Sequence, residues 1–137
     1  MLRLSAGVQA QIVGHCLGGL PDEACGLLGG NPVSSTASTC YPTRNAAASA
    51  QLYSIDGRDY ARAEADAESK GQEIIAVFHS HTHTDAYPSA TDVAQANPLL
   101  PDWHYVLVSL RDTHPVVRSY RIFAGRVEEE TVVIDGR

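Results

Sequence analysis

From residue 73 to 81 the chain reads EIIAVFHSH, the clearest central strand in the sequence. Five apolar residues in succession, Ile74 to Phe78, predict a segment enclosed by other elements rather than one lying at a sheet edge. Side chains of a strand alternate between its two faces, so His79 and His81, two apart at its end, leave the same face and can converge on one ion. A chain built on this segment needs a sheet around it and helices to cover that sheet.

The remaining elements are read from periodicity and punctuation. Ser5 can cap a helix whose apolar positions Val8, Ile12, Val13 and Cys16 recur at helical spacing, with Gly18 and Gly19 to stop it, placing helix one at about residues 6 to 17. The run ACGLLGG, ended by glycines and Asn31-Pro32, predicts a strand buried on both faces with Glu23 at its entrance. The Ser, Thr and Ala rich stretch from Val33 to Ser49 suggests a second strand reaching Tyr41, followed by a loop through Arg44 and Asn45. Asp56 can cap an amphipathic second helix carrying Tyr60, Ala63 and Ala67 and ending before Gly71. Pro88 and Ser89 mark the start of a short third helix and Pro98 its stop. HYVLVSL, PVVRSYRIF and VEEETVVI read as three strands, the last two joined as a hairpin through Ala124-Gly125.

This order predicts an α/β fold, a single-domain mixed β-sheet flanked by helices, spanning residues 1 to 137. A chain of 137 residues with 44% apolar content has material for one core, and folding at this size buries roughly two-thirds of the unfolded chain's surface.

Charge narrows the partners. Ten basic residues, only one of them lysine, against 16 acidic ones give a net −6, so no basic patch is expected for nucleic acid or for an anionic membrane. No stretch approaches the roughly 20 apolar residues needed to cross a bilayer, and the first residues alternate polar and apolar without a signal-peptide core, which predicts a soluble cytoplasmic protein. Cys16, Cys25 and Cys40 form neither a disulfide framework nor a cysteine metal motif and are expected as reduced, mostly buried thiols.

The chemistry concentrates around the two histidines. Asp92 lies eleven residues beyond His81, and the loop between them can fold back to bring its carboxylate to the same point. Two nitrogens and one oxygen leave a fourth tetrahedral position for water, the open coordination of a catalytic zinc. Such a site still needs a base to take and pass on a proton, and Glu23 beside its buried strand is the candidate. The Ser89 hydroxyl could donate to the oxyanion formed during attack on a carbonyl.

Each of these residues also has a plainer explanation. Ser89 and Asp92 have the spacing of a capping box, a role that can coexist with the other. His83 continues the two-residue rhythm, so a site of His79, His81 and His83 is conceivable if the strand runs on, although Thr84 and Asp85 suggest that it has ended. Glu23 could neutralise a buried arginine. Cys25 and Tyr87 are expected to pack rather than react, and His15, His104 and His114 to be surface or satisfied core histidines. Trp103 and Tyr105 are expected in the core.

His-x-His, seven residues, Ser, two residues, Asp is the signature of the JAMM (MPN-plus) family of zinc metallopeptidases, and His79, His81, Ser89 and Asp92 meet each position. The chain also resembles that family upstream, where Glu23, Ala24, Cys25, Gly26, Leu27 and Leu28 match its Glu-x-x-Gly and apolar run. The resemblance implies a cytidine-deaminase-like mixed sheet with helices on both sides and one zinc per chain. It also implies hydrolysis of bonds that follow a ubiquitin-like C-terminus. Without a long insertion, the chain looks most like the compact bacterial members that release cysteine from a small sulfur-carrier protein. A deubiquitinase-like isopeptidase acting on other ubiquitin-like conjugates is the alternative, and a metal-bound interaction scaffold a third reading. The oligomeric state is left open, a homodimer included. Zinc deaminases carry His-x-Glu and Pro-Cys-x-x-Cys, which are absent from this sequence.

Overall fold

The computed structural model describes residues 1–49, 54–96, 100 and 102–135. In chain order the elements are β1 (Leu2–Ser5), α1 (Ala6–Gly18), β2 (Cys25–Asn31), β3 (Thr36–Thr43), α2 (Gly57–Ser69), β4 (Glu73–His81) and α3 (Ala90–Gln95). They continue with β5 (His104–Ser109), β6 (Val116–Phe123), β7 (Arg126–Glu130) and β8 (Val132–Asp135). The eight strands form one sheet in the order β7-β6-β5-β4-β2-β3-β1-β8. β4 runs parallel to β5 and antiparallel to β2, and β1 runs parallel to both β3 and β8, so the sheet is mixed, as the element order predicts.

The two edge strands of this order, β7 and β8, are separated in sequence by Thr131 alone. A flat eight-stranded sheet cannot satisfy that connection, because neighbouring strands lie about 4.8 Å apart. The sheet therefore curls until its edges meet, where Leu2 N–H donates to the Thr131 carbonyl at 2.9 Å. The curl encloses α1. Val8, Ile12 and Cys16 on its apolar stripe pack with Leu2, Leu4, Leu28, Phe78, Val106 and Val108, drawing one core from both ends of the sheet. Each large side chain sealed there contributes on the order of 1.5–3 kcal/mol.

Gly26 makes this packing close. A Cβ at that position would lie 2.3 Å from the Phe78 ring and 2.6 Å from the Tyr41 carbonyl oxygen, so the third position after Glu23 admits no side chain. The opposite face of the sheet carries α2 and a second core of Leu27, Ala63, Val77, Leu107, Tyr120 and Ile122. Asp56 caps α2 by accepting from Arg58 N–H at 3.0 Å and Asp59 N–H at 3.1 Å. The helix is followed by Gly71 at φ +69°, a left-handed position suited to glycine.

Two expectations about strands need correction. The segment VEEETVVI is not one strand: it breaks at Thr131, so that β7 completes the hairpin with β6 while β8 crosses to β1. Leu2–Ser5, for which the sequence pattern offered only the Ser5 cap of helix one, is a strand held between β3 and β8. Four residues carry too little pattern to be recognised without those distant partners. The expected stop of helix three at Pro98 lies outside the described residues; α3 begins behind Ser89 as its N-cap. The three cysteines are free and buried. Among the described residues no helix is long and apolar enough to cross a membrane.

Candidate metal centre

β4 lies between β2 and β5, with His79 opposite Cys25 on one side and Leu107 on the other. Beyond the register irregularity at Ile75, β4 alternates regularly: Ala76 and Phe78 face the α1 side, Val77 joins the core on the α2 side, and His79 and His81 follow Val77 at 3% and 4% exposure. Their Nε2 atoms are 3.3 Å apart.

Asp92 arrives from α3. Ser89 Oγ accepts from Asp92 N–H at 3.0 Å, and Ser89 N–H donates to Asp92 Oδ2 at 2.9 Å, a complete capping box. The box fixes the carboxylate, and the same Oδ2 lies 3.0 Å from His81 Nε2 and 3.2 Å from His79 Nε2. The capping role and convergence on the histidines thus occur together.

Three donor atoms separated by 3.0, 3.2 and 3.3 Å form a near-equilateral triangle. Ligands about 2.0–2.1 Å from a tetrahedral zinc stand about 3.3–3.4 Å from one another, so the triangle has the size of one face of such a site. Two imidazoles and a carboxylate are also a donor set suited to zinc. The residues present therefore fit the ion. His83 does not join them: the strand ends at His81 and His83 is exposed.

The surroundings orient these groups. His81 Nδ1 donates to the Asp85 carbonyl at 2.8 Å, which leaves the Nε2 lone pair directed at the triangle. Burial holds His79 below the ordinary histidine range, in its neutral form. Burial would lower His81 as well, but the Asp92 carboxylate and the Asp85 carbonyl outweigh it and carry the group upward. For Asp92, burial is overcome by its close contacts with His79 and His81 and by the hydrogen bond from the Ser89 amide, and its carboxyl sits well below the usual carboxylate range.

Glu23 is 6% exposed, and burial pushes its carboxyl up to about 7. His81 pulls it down and Asp92 pushes it up, so the charges acting on it are those of the triangle rather than an arginine. Glu23 precedes β2, and its neighbour Ala24 is held by Ser80, the residue between the two histidines. Ser89 is exposed beside the triangle.

The other residues singled out in the sequence sit elsewhere. Cys25 Sγ is 3.5 Å from Thr43 Oγ1, and burial raises its thiol, as suits a packing residue. Tyr87 packs edge-on against Tyr120 but keeps 58% of its surface exposed. His15 Nε2 lies 3.0 Å from the Cys25 carbonyl and 3.1 Å from that of Thr43, His104 is buried against Glu130, and His114 is exposed. Trp103 stacks on Tyr60, and Tyr105 is buried in the α2-side core. Ser80 and Asn45, which hold the backbone around Glu23, were not singled out. The only local cue for Ser80 is a polar residue inside a buried run; Asn45 offers none beyond a loop asparagine.

Comparison with known proteins finds relatives of the chain in sequence and in fold. The family described as prokaryotic homologs of the JAB domain matches residues 5–123. The chain is 41% identical over 133 residues to the CysO-cysteine peptidase of Mycobacterium tuberculosis, covering 96% of this chain and 90% of that protein. It is 31% identical over 113 residues to a desampylase of Haloferax volcanii, covering 79% and 80% respectively. The solution structure of a Desulfitobacterium hafniense protein superposes with a TM-score of 0.90 at 32% identity, covering 100% of this chain and 94% of that one.

Proposed function

The chain belongs to the family of prokaryotic JAB-domain homologs and is a hydrolase, and on that premise we propose that it is a zinc-dependent peptidase acting on a small ubiquitin-like sulfur-carrier protein. It cleaves the amide bond after the carrier's C-terminal Gly-Gly and releases cysteine. The observation that supports this most is the triangle of His79 Nε2, His81 Nε2 and Asp92 Oδ2, 3.0–3.3 Å on a side, with buried Glu23 close enough to feel its charges. The name of the mycobacterial relative supports the choice of carrier and leaving group.

His79, His81 and Asp92 hold one zinc per chain. When bound, the ion supplies a Lewis acid that polarises the scissile carbonyl and acidifies water. Glu23, whose burial keeps its proton affinity near neutrality, takes the proton of the attacking water and passes it to the leaving amine. Ser89 donates its hydroxyl to the developing oxyanion. Asp85 keeps His81 in the tautomer that turns Nε2 inward. The free, buried cysteines are in keeping with a reducing cytoplasm.

The experiment is to incubate the zinc-loaded protein with a carrier extended by cysteine, and with the same carrier extended by other residues, following mass. Loss of cysteine alone, abolished by Glu23→Gln, supports the narrow reading. Equal loss of every extension makes it a general carrier-tail peptidase. Cleavage of unfolded peptides but of no Gly-Gly carrier refutes it. The similarity to a desampylase favours a second reading, an isopeptidase on other ubiquitin-like conjugates, which the same assay detects with a lysine-linked adduct.

A further inference from the structure

We infer that Asn45 is a positioning residue for Glu23, an assignment that rests on the proposed role of Glu23 as the base. Glu23 lies two residues ahead of β2, whose pairing with β4 begins at Cys25 opposite His79. The sheet ladder therefore does not hold its peptide groups. Its N–H instead donates to the Ser49 carbonyl at 2.7 Å, and its carbonyl accepts from Asn45 Nδ2 at 2.9 Å. Both partners belong to the loop that follows β3.

The Asn45 side chain also organises that loop. Its Oδ1 accepts from Ala47 N–H at 3.0 Å and from Ser54 N–H at 2.8 Å, joining the two arms. Ala46 N–H donates to the Ser54 carbonyl at 2.8 Å, and Asn45 pairs with Ile55 in an isolated bridge. One amide thus binds both arms of the loop and the base residue. The orientation of the amide is settled by these partners, since two N–H donors require the oxygen and a carbonyl requires the nitrogen.

Only a short side chain with an acceptor and a donor on one planar group can do this. Aspartate keeps the two accepted bonds and loses the donated one; alanine loses all three. Fixing the Glu23 carbonyl through Asn45, and its N–H through the loop that Asn45 closes, sets the direction of its Cα–Cβ bond. A base displaced by about 1 Å can lose on the order of 10²-fold in rate.

The test uses zinc-loaded wild type, Asn45→Asp and Asn45→Ala, with two readouts: amide hydrogen exchange at Glu23, Ala47 and Ser54, and kcat and KM on the cysteine-extended carrier. In Asn45→Asp the Ala47 and Ser54 amides stay protected while kcat falls ~10-fold or more and KM changes less than about 2-fold. In Asn45→Ala the Glu23 amide exchanges at least ~10-fold faster, because the loop that carries Ser49 opens. Zinc content stays at wild-type level in both. Unchanged Glu23 exchange in Asn45→Ala, or wild-type kcat in Asn45→Asp, overturns the assignment. If wild type does not turn the carrier over, the proposed substrate fails, while the exchange data still decide whether Asn45 holds Glu23.

Discussion

Ser80 and Ala24 exchange two hydrogen bonds: Ser80 N–H donates to the Ala24 carbonyl at 2.9 Å, and Ala24 N–H donates to Ser80 Oγ at 2.9 Å. The residue between the two histidines is thereby fastened to the residue next to Glu23. Ser80 turns away from the triangle because alternation along β4 sends it to the α1 side. Its side chain replaces a ladder bond where the β2–β4 pairing has ended.

Ser80→Ala should therefore leave a buried amide without its acceptor. We expect a loss of about 1–3 kcal/mol, read from the denaturant midpoint, with zinc content unchanged. A variant as stable as wild type would show that the Ala24 amide finds another partner.

Asp92→Ala should lower zinc occupancy strongly, whereas His83→Ala should keep one zinc per chain, as measured by metal analysis after dialysis. Chelation should lower the Tm of the wild type, since an ion that binds only the folded state stabilises it by mass action. A Tm indifferent to chelator would separate the triangle from metal binding.

Glu23→Gln should fold and retain zinc but lose ~10²-fold to ~10⁴-fold in turnover, because a proton acceptor is removed without touching a ligand. Ser89→Ala should slow turnover ~10²-fold to ~10³-fold if its hydroxyl meets the oxyanion, and cost about 1 kcal/mol through the lost cap. A stability loss at unchanged rate would leave capping as the only role of Ser89.

Glu130 should make folding sensitive to acid. Burial alone would raise its carboxyl, but His104 at 2.6 Å, the Met1 amine at 2.8 Å and Ser119 at 2.8 Å outweigh it and bring the pKa from 4.5 to about 2. A carboxyl depressed in the folded state stabilises above its unfolded pKa, so this contribution is complete above pH 4.5 and is lost as pH falls through about 2. Glu130→Gln should be less stable at pH 7 and show a shallower decline of unfolding free energy between these values. An identical pH slope in the two proteins would assign the acid sensitivity to other carboxylates.

The sequence by itself determined whatever depends on neighbours along the chain. Alternation of side chains along β4 already places His79 and His81 on one face, and Ser-x-x-Asp already describes the capping box of α3. The Asp56 cap of α2 and the Ala124-Gly125 turn, with φ of 52° and 77°, are legible for the same reason. Tertiary structure alone decided what depends on pairing across long separations: the insertion of β1 between β3 and β8, the closure of the sheet at Thr131, and the Glu130 network with His104. The same holds for the fastening of Glu23 by Asn45 and of Ala24 by Ser80. These contacts join groups 22 and 56 residues apart, and their geometry follows from sheet register and curl, which no local pattern encodes.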